Sequence, residues 1–284
     1  MSERHGMRLA GLVVLAMLAF AANSVLCRKA LAQSSIDPAS FSLLRIASGA
    51  AMLGLLSRLR QGRPLASGSW KGGLALLLYV VCFSFAYVSL GAASGALLLF
   101  GAVQATMIIR GLLTGERLRA PQWLGLLLAL GGLVALLLPG ASAPDPLGAA
   151  LMLLAGVSWG AYSLLGRVAK EAPLHATAGN FIKAAPMALL PAAVMVALGR
   201  VGLDASGAAL AVASGALASG LGYALWYKVL PQLRAVTAAS VQLSVPVITA
   251  VGGALMLGEV LSLRLTLASL AVLGGIALVV RTKR

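Results

Sequence analysis

The chain has 284 residues, of which 60% are apolar and only 10% are charged, and its formal net charge is +15 at pH 7. Its mean hydropathy is +0.98, whereas soluble domains average roughly 45–50% apolar and about 25% charged residues. This composition excludes a soluble globular enzyme, a disordered chain and a disulfide-stabilised secreted module, and it favours a polytopic membrane protein.

Ten apolar runs follow one another along the chain, each close to the roughly 20 residues that a helix needs to cross a bilayer. The runs are continuous and do not alternate between polar and apolar residues, which indicates helices and not the strands of a barrel. The predicted fold class is therefore an all-α integral membrane protein with ten transmembrane helices. The predicted spans lie near residues 8–30, 39–59, 71–90, 94–114, 121–138, 147–168, 175–198, 207–229, 235–257 and 263–281.

The charges lie between these runs, and their distribution predicts an orientation. Ten spans put both termini on one side of the membrane, and fifteen of the 22 Lys and Arg residues fall on that side. They are Arg4, Arg8, Arg58, Arg60, Arg63, Lys71, Arg117, Arg119, Arg167, Lys170, Lys228, Arg234, Arg281, Lys283 and Arg284, against Arg28, Lys29, Arg200 and Arg264 on the other side. Because basic loops stay in the cytoplasm, we expect both termini to be cytoplasmic. The net charge then reflects topology, and no nucleic-acid partner is expected, because nucleic-acid binding needs a basic face on a solvated domain.

The two halves of the chain align with each other, which predicts an internal repeat. Phe20 through Arg28 aligns with Trp159 through Arg167, and Thr106 through Leu118 aligns with Thr249 through Leu261, so both copies contain Gly-Glu-x-Leu. Since each copy has five spans, an odd number, the second copy must be inverted relative to the first. We predict repeats over residues 1–139 and 147–284, an arrangement typical of secondary transporters.

The first span has a second interpretation, because Arg4 and Arg8 before an apolar run also fit a signal peptide. The repeat pairs this run with an internal helix, so we expect it to remain as a transmembrane helix. Cys27 and Cys82 lie inside apolar runs and are predicted to be free, buried thiols. The spacing of the cysteines and histidines fits no metal site, and no Walker-type glycine loop is present, so we expect no metal, no cofactor and no direct use of ATP.

The five-span repeat that ends in Gly-Glu-x-Leu and is followed by a span with Gly-Gly resembles the EamA family of the drug/metabolite transporter superfamily. The later copy has Pro246 thirteen residues before Glu259, as that family usually does, whereas the first copy has Val103 at the matching place. Within the superfamily the chain looks most like bacterial amino-acid exporters, including exporters of aromatic amino acids. The resemblance implies a cavity lined mainly by the third, fourth, eighth and ninth spans, with the first, second, sixth and seventh spans around them.

Polar and aromatic residues that recur at helical spacing are candidates for the wall of this cavity, because polar groups in a spanning helix should face the bundle or a wet cavity. The alternative for each is packing or hydrogen bonding between helices. Tyr87 and Tyr227 lie near helix ends and are instead expected in the interfacial aromatic belt. The predicted substrate-binding residues are Asn23, Tyr79, Phe83, Phe100, Gln104, Trp159, Tyr162, Ser163, Lys183, Tyr223, Trp226 and Gln242, and Pro246 is predicted to be a hinge, with a static kink as the alternative.

Two cations lie within predicted spans. Arg45 and Lys183 occupy roughly matching places in the second and seventh spans, about two turns from the helix start. A cation at such a depth is a functional hypothesis by default. Either one of them receives a substrate carboxylate, or both extend toward the headgroups.

The acidic residues predict how transport is driven. All seven, Glu3, Asp37, Glu116, Asp145, Glu171, Asp204 and Glu259, fall in or beside loops. Carriers coupled to protons or sodium commonly keep a carboxylate inside the membrane. Its absence here favours facilitated transport down a gradient, with coupling through histidine or water as the alternative.

We therefore interpret the sequence as an inner-membrane carrier that exports small metabolites, above all amino acids, by alternating access, either as a monomer or as a homodimer in the lipid bilayer. A drug or nucleotide-sugar carrier of the same superfamily is the alternative, and a channel or a scaffold that transports nothing is another. The segment from Gly156 to Gly160 also matches the Gly-x-Ser-x-Gly pattern of serine hydrolases. That pattern needs a turn from strand to helix and lies within a predicted helix here, so we expect no enzyme.

Overall fold

The computed structural model describes residues 2–60, 63, 65–115, 118–140, 143–168, 170–229, 232–233 and 241–281, which form ten main helices and no strand. The predicted all-helical fold is therefore confirmed. Eight of the helices are long and apolar enough to cross a membrane, and two apolar helices, α3 and α9, are shorter. The helices are α1 (Ser2–Gln33), α2 (Pro38–Leu59), α3 (Trp70–Ala86), α4 (Ala92–Leu113), α5 (Ala120–Leu137), α6 (Pro146–Val168), α7 (Pro173–Ala197), α8 (Ala205–Val229), α9 (Ser244–Leu257) and α10 (Leu263–Arg281). The predicted start of the ninth span, at 235–240, lies outside the described residues.

Side-chain caps determine where several helices begin. The Asp37 carboxylate accepts hydrogen bonds from the amides of Ala39 and Ser40 at 2.9 Å, so α2 begins at the next residue, Pro38, which needs no amide partner. Asp204 caps α8 in the same way. The Ser206 hydroxyl and the Gly207 amide donate to its carboxylate and hold the pKa of Asp204 below its usual range.

Hydrogen bonds between loops divide the loops into two groups at opposite ends of the bundle. The loops α1–α2, α3–α4, α5–α6, α7–α8 and α9–α10 meet at one end, which we call the Glu259 end. Their contacts join Asp37 to Gly202, Ser89 to Asp145, Arg264 to Leu138 and Arg28 to Glu259. The loops α2–α3 and α6–α7 meet at the other end, called the Glu171 end, where the Gly68 amide donates to Glu171 at 2.8 Å. If each of the ten helices runs from one end of the bundle to the other, successive loops lie at alternating ends, as these contacts show.

Small residues allow the closest helix contacts. A Cβ atom on Gly156 of α6 would lie 2.6 Å from the carbonyl oxygen of Leu99 in α4, and one on Gly160 would lie 2.8 Å from Thr106 Cβ. These two glycines, four residues apart, therefore let α6 pack closely against α4. Helices α5 and α10 pack against each other in a similar way, because a Cβ on Gly125 would lie 2.5 Å from the carbonyl oxygen of Gly275.

Three spans depart from regular helix. Helix α7 is interrupted at Ala188, two residues after Pro186. Helix α8 contains a π-helix over Ala213–Leu221. A turn at Leu243 precedes α9, and Pro246 lies three residues later, where it lacks the N–H that would bond to the carbonyl of Gln242.

Candidate functional site

A cavity of about 770 Å³ lies inside the bundle, and its described lining reaches the surface at one end. Its deep end is lined by Phe20, Asn23 and Phe83, and its mouth reaches the exposed Lys170 and Glu171. None of the described residues in the five loops at the Glu259 end contributes to its wall. The described structure is therefore open at the Glu171 end and sealed at the Glu259 end.

The cavity wall comes from more helices than the resemblance implied. Helices α3, α4 and α8 line it as expected, together with Gln242 just before α9, but α1, α6 and α7 line it as well. Helix α6 reaches the cavity because Gly156 and Gly160 let it pack closely on α4 while its aromatic side chains face inward. Helices α1 and α6 are two of those expected around the main lining spans, and they carry Asn23, Trp159, Tyr162 and Ser163, which the sequence predicts as binding residues.

The structure places eleven of the twelve predicted binding residues around this cavity. Lys183 is the exception, because its ammonium group donates to the backbone carbonyl of Ser67 at the Glu171 end and lies outside the cavity wall. Pro246 is also outside the wall and is buried in α9. The residues brought together are Asn23, Tyr79, Phe83, Phe100, Gln104, Trp159, Tyr162, Ser163, Tyr223, Trp226 and Gln242.

Trp159 is the centre of an aromatic cluster that joins three helices. Its ring centroid lies 4.9 Å from that of Tyr79 in α3, 5.3 Å from Tyr162 in α6 and 5.2 Å from Tyr223 in α8. Phe20 of α1 extends the cluster with edge-to-face contact to Tyr223 at 5.7 Å. Contacts of this kind add to the stabilisation from burial, so one wall of the cavity is a continuous aromatic surface.

Polar groups interrupt this surface at few places. The side-chain oxygen of Asn23 accepts hydrogen bonds from Ser214 at 2.8 Å and from Ser219 at 3.3 Å, which fixes the amide at the deep end. Asn180 donates to the Tyr162 hydroxyl at 3.4 Å. Asn180 was missed in the sequence, although a polar residue inside a predicted span is the signal that identified Asn23.

Two tyrosines expected at the membrane interface lie inside the protein instead. Tyr227 lines the cavity. Tyr87 is fully buried, packs edge-to-face on Phe83 at 4.7 Å and donates to the backbone carbonyl of Ala92 at 3.3 Å. The prediction of an aromatic belt is wrong here because position along a helix does not determine which face carries the side chain.

An ion pair seals the cavity from the Glu259 end. Arg28 Nε lies 3.2 Å from Glu259 Oε1, and the same guanidinium donates to the backbone carbonyls of Tyr87 and Val88 at 3.0 Å. The other carboxylate oxygen of Glu259 accepts from the Ala92 amide at 2.7 Å. Three segments, the end of α1, the α3–α4 loop and the end of α9, are thus held together above the Phe83–Tyr87 pair.

The family model for the EamA-like transporter family matches the chain twice, over residues 7–138 and 146–281. The chain belongs to this family. It is 58% identical over 270 residues to an uncharacterized protein of Pseudomonas aeruginosa, PA1977, with 94% of this chain and 93% of the relative covered. The chain also superposes on the crystal structure of a protein that is 20% identical in sequence, with a TM-score of 0.65. The match covers 95% of this chain and 97% of the other chain, which shows a shared fold. The molecule is therefore a membrane transporter of small molecules.

The Gly-Glu motif of this EamA-like transporter has a geometric role. Gly258 ends α9 with φ of +66°, a left-handed conformation that favours glycine, and the chain turns so that Glu259 faces α4. Helix α4 begins after Gly91, which supplies no side-chain cap, and the Glu259 carboxylate takes that place. Gly115 of the first copy is also left-handed, with φ of +91°. Glu116, its motif partner, lies outside the described residues.

The hydrolase interpretation finds no support in this transporter. Ser158 is buried within the regular helix α6 and follows no strand. His175 Nδ1 is 2.7 Å from the hydroxyl of Ser57, so its hydrogen-bond partner is a different serine.

Proposed function

We propose that this EamA-like transporter exports amino acids, aromatic ones included, across the bacterial inner membrane by alternating access. The observation that carries the proposal is a cavity that is walled by an aromatic cluster and that, in the described part of the chain, is open at the Glu171 end and sealed at the Glu259 end. A carrier needs a substrate cavity that opens to one side at a time.

The size and chemistry of the cavity suit small amphipathic molecules. Its volume of about 770 Å³ falls within the roughly 300–1,000 Å³ of ligand pockets. The Trp159 cluster provides an apolar surface for a side chain, while Asn23, Gln104 and Asn180 present amides to polar groups. Amino acids combine these two features, and so do some drugs and nucleotide sugars, which the experiment below separates.

The charges predict which end of the bundle faces the cytoplasm. The positive-inside rule places the Glu171 end in the cytoplasm, so the described state would load substrate from there. Export then requires the Arg28–Glu259 pair to part while the Glu171 end closes. Inverted five-helix repeats support such an exchange, because each end can adopt the contacts of the other.

The positions of the carboxylates support a facilitative mechanism. Among the described residues, Asp37, Asp145, Glu171, Asp204 and Glu259 all lie at helix ends or in loops. Glu171, at the cavity mouth, is the acidic residue among those that line the described cavity. Carriers coupled to protons or sodium commonly keep a carboxylate at depth.

Counterflow in proteoliposomes tests the substrate class directly. Purified protein is reconstituted with unlabelled compound inside, and the entry of labelled L-phenylalanine, L-serine, a nucleotide sugar or a cationic dye is measured. We expect counterflow of amino acids, with L-phenylalanine preferred over L-serine. Counterflow of the nucleotide sugar or the dye alone would replace the amino-acid assignment with the alternative carrier class. Empty liposomes are the control for leakage.

A further inference from the structure

Arg45 is a fully buried cation in the part of α2 that faces the cavity wall. Its side chain has 0% exposure, its Nη2 donates to the Tyr79 hydroxyl at 3.0 Å, and its Nε donates to the Ser219 hydroxyl at 3.4 Å. The guanidinium carbon lies 4.8 Å from the ring centroid of Phe83 and 5.2 Å from that of Tyr79. The third nitrogen, Nη1, is buried and has no hydrogen-bond partner.

No carboxylate balances this charge in the described part of the chain. The ion pair found among those residues joins Arg28 to Glu259 at the Glu259 end, and Asp37 is occupied as the cap of α2. Hydroxyl groups and ring faces stabilise a cation, but they do not neutralise it. A buried cation without a counter-charge is costly, so its retention at this depth calls for a functional reason.

The fold holds the guanidinium firmly in this place. The π-helix of α8 crosses α2 at Gly215, where a Cβ atom would collide with the carbonyl oxygen of Arg45 and with the hydroxyl of Ser48. This close approach brings Ser219 to Arg45 and to Asn23, whose side-chain oxygen accepts from the same hydroxyl group. π-Helices occur frequently at functional sites.

Only one layer of side chains separates Arg45 from the cavity. Tyr79 and Phe83, which cover the guanidinium, both line the cavity, and so does Asn23 on the far side of Ser219. We propose that Arg45 is the receptor for a carboxylate group of the transported substrate, which makes a carboxylate a requirement for recognition. The inference rests on the function proposed above and specifies which chemical group of the substrate the cavity selects.

The two terminal nitrogens of Arg45 suit this role. A carboxylate that replaces the Tyr79 hydroxyl accepts from Nη2 and from the free Nη1 together, in the planar two-bond geometry that arginine favours. The displaced Tyr79 side chain can move into the open cavity, which it already lines. The substrate charge then neutralises Arg45, while the aromatic cluster receives the rest of the molecule.

Competition experiments on the unmodified protein test the proposal without any mutation. Counterflow of labelled L-phenylalanine is measured with L-phenylalaninamide, phenethylamine or phenylacetate as competitor. We expect phenylacetate to compete and the amide and the amine to compete at least tenfold more weakly, since hydrogen bonds to charged groups change affinity by roughly ten- to hundredfold. Equal competition by all three compounds contradicts the proposal.

Variants then assign the preference to Arg45. Arg45→Gln is expected to lower the preference for phenylacetate over phenethylamine by about tenfold or more. Arg45→Lys keeps the positive charge but loses the planar pair of N–H donors, and it is expected to lower the preference less. Tyr79→Phe removes the competing hydroxyl and should keep the preference. Arg200→Gln, which removes an exposed cation, is the matched control. Ligand-induced thermal stabilisation in detergent gives a second readout for variants that do not transport.

The outcomes separate this inference from the proposed function. If aromatic carboxylates bind through Arg45 but amino acids are not transported, the role of Arg45 is supported and the assignment of amino acids as substrates is wrong. If amino acids are transported but Arg45→Gln keeps the carboxylate preference, the inference fails alone. A requirement for chloride without any preference among the competitors would assign Arg45 to an inorganic anion and overturn the proposal.

Discussion

Arg28 and Glu259, 231 positions apart in the sequence, form an ion pair 3.2 Å long that joins the first helix to the end of the ninth. Both side chains are about one-fifth exposed, at 22% and 19%. A pair of this exposure contributes about 1 kcal/mol or less on its own. The carboxylate also caps α4 through the Ala92 amide at 2.7 Å, so one side chain couples the seal of the cavity to the start of a cavity helix.

Loss of the Glu259 charge should favour opening at this end. Glu259→Gln keeps an acceptor for the Ala92 amide but breaks the ion pair, and about 1 kcal/mol shifts a two-state population roughly fivefold. We expect a cysteine placed at the buried Leu90 to react faster with a membrane-impermeant thiol reagent, in a background with Cys27 and Cys82 replaced by alanine. Asp204→Asn removes a carboxylate at the same end that contacts neither Arg28 nor the α3–α4 loop, and it should leave the rate unchanged. Equal labelling in both variants would show that the pair does not control access.

Truncation of Trp226 should affect large substrates more than small ones. At about 25 cal/mol per Å², Trp226→Ala removes roughly 1–3 kcal/mol of contact with an aromatic substrate, or about tenfold to a hundredfold in affinity. L-Serine, which reaches little of this surface, should lose much less. The measurement is the ratio of L-phenylalanine to L-serine counterflow, normalised to folded protein. Trp123→Ala, on the exposed side of α5, is the control. Losses for both substrates that follow protein abundance would assign Trp226 to packing.

Opposite ends of the bundle should be accessible from opposite sides of the membrane. From the positive-inside rule we expect Lys170 in the cytoplasm and Val260, which is 91% exposed, on the outer side. Cysteines introduced at these two positions should therefore be labelled by an impermeant reagent in inverted vesicles and in intact cells, respectively. Labelling of both positions from the same side would contradict the ten-span topology.

Transport should proceed without an imposed ion gradient. The described carboxylates lie at the ends of the bundle, where they cannot relay a proton or a sodium ion across it. We expect counterflow of L-phenylalanine at equal pH and equal sodium concentration on both sides of the liposome membrane. Strict dependence on either gradient would show that coupling groups exist which these carboxylates do not explain.

Replacement of Gly258 should destabilise the protein. Its φ of +66° is a left-handed conformation that costs an alanine about 1–2 kcal/mol, so Gly258→Ala should lower the Tm in detergent. Gly274→Ala is the control, because this glycine lies within α10 with open space at its Cβ position. Alanine is there expected to raise the Tm or leave it unchanged. An unchanged Tm for Gly258→Ala would mean that the turn adopts another backbone conformation without loss of stability, which would contradict the prediction.

Local patterns in the sequence were sufficient for much of the site. Polar residues that recur at helical spacing inside an apolar run are expected to face the interior of the bundle, because exposure to lipid is unfavourable. Asn23, Gln104 and Trp159 do lie at the cavity. The same argument failed for Lys183, because a long cationic side chain can reach a loop carbonyl instead. It was not applied to Tyr87, whose place near a helix end was taken to mean the membrane interface, although its side chain is buried.

By itself the sequence determined the ten helices, most of their described ends to within a few residues and the glycines Gly115 and Gly258 at which the chain turns. The length of an apolar run and the conformational preference of glycine are local properties. The tertiary structure alone decided which end of the cavity is sealed and which partners the charged side chains have. Arg28 meets Glu259, and Arg45 meets Tyr79 and Ser219, across 231, 34 and 174 positions of the chain. Contacts over such separations depend on how the helices cross, and no pattern within one helix encodes them.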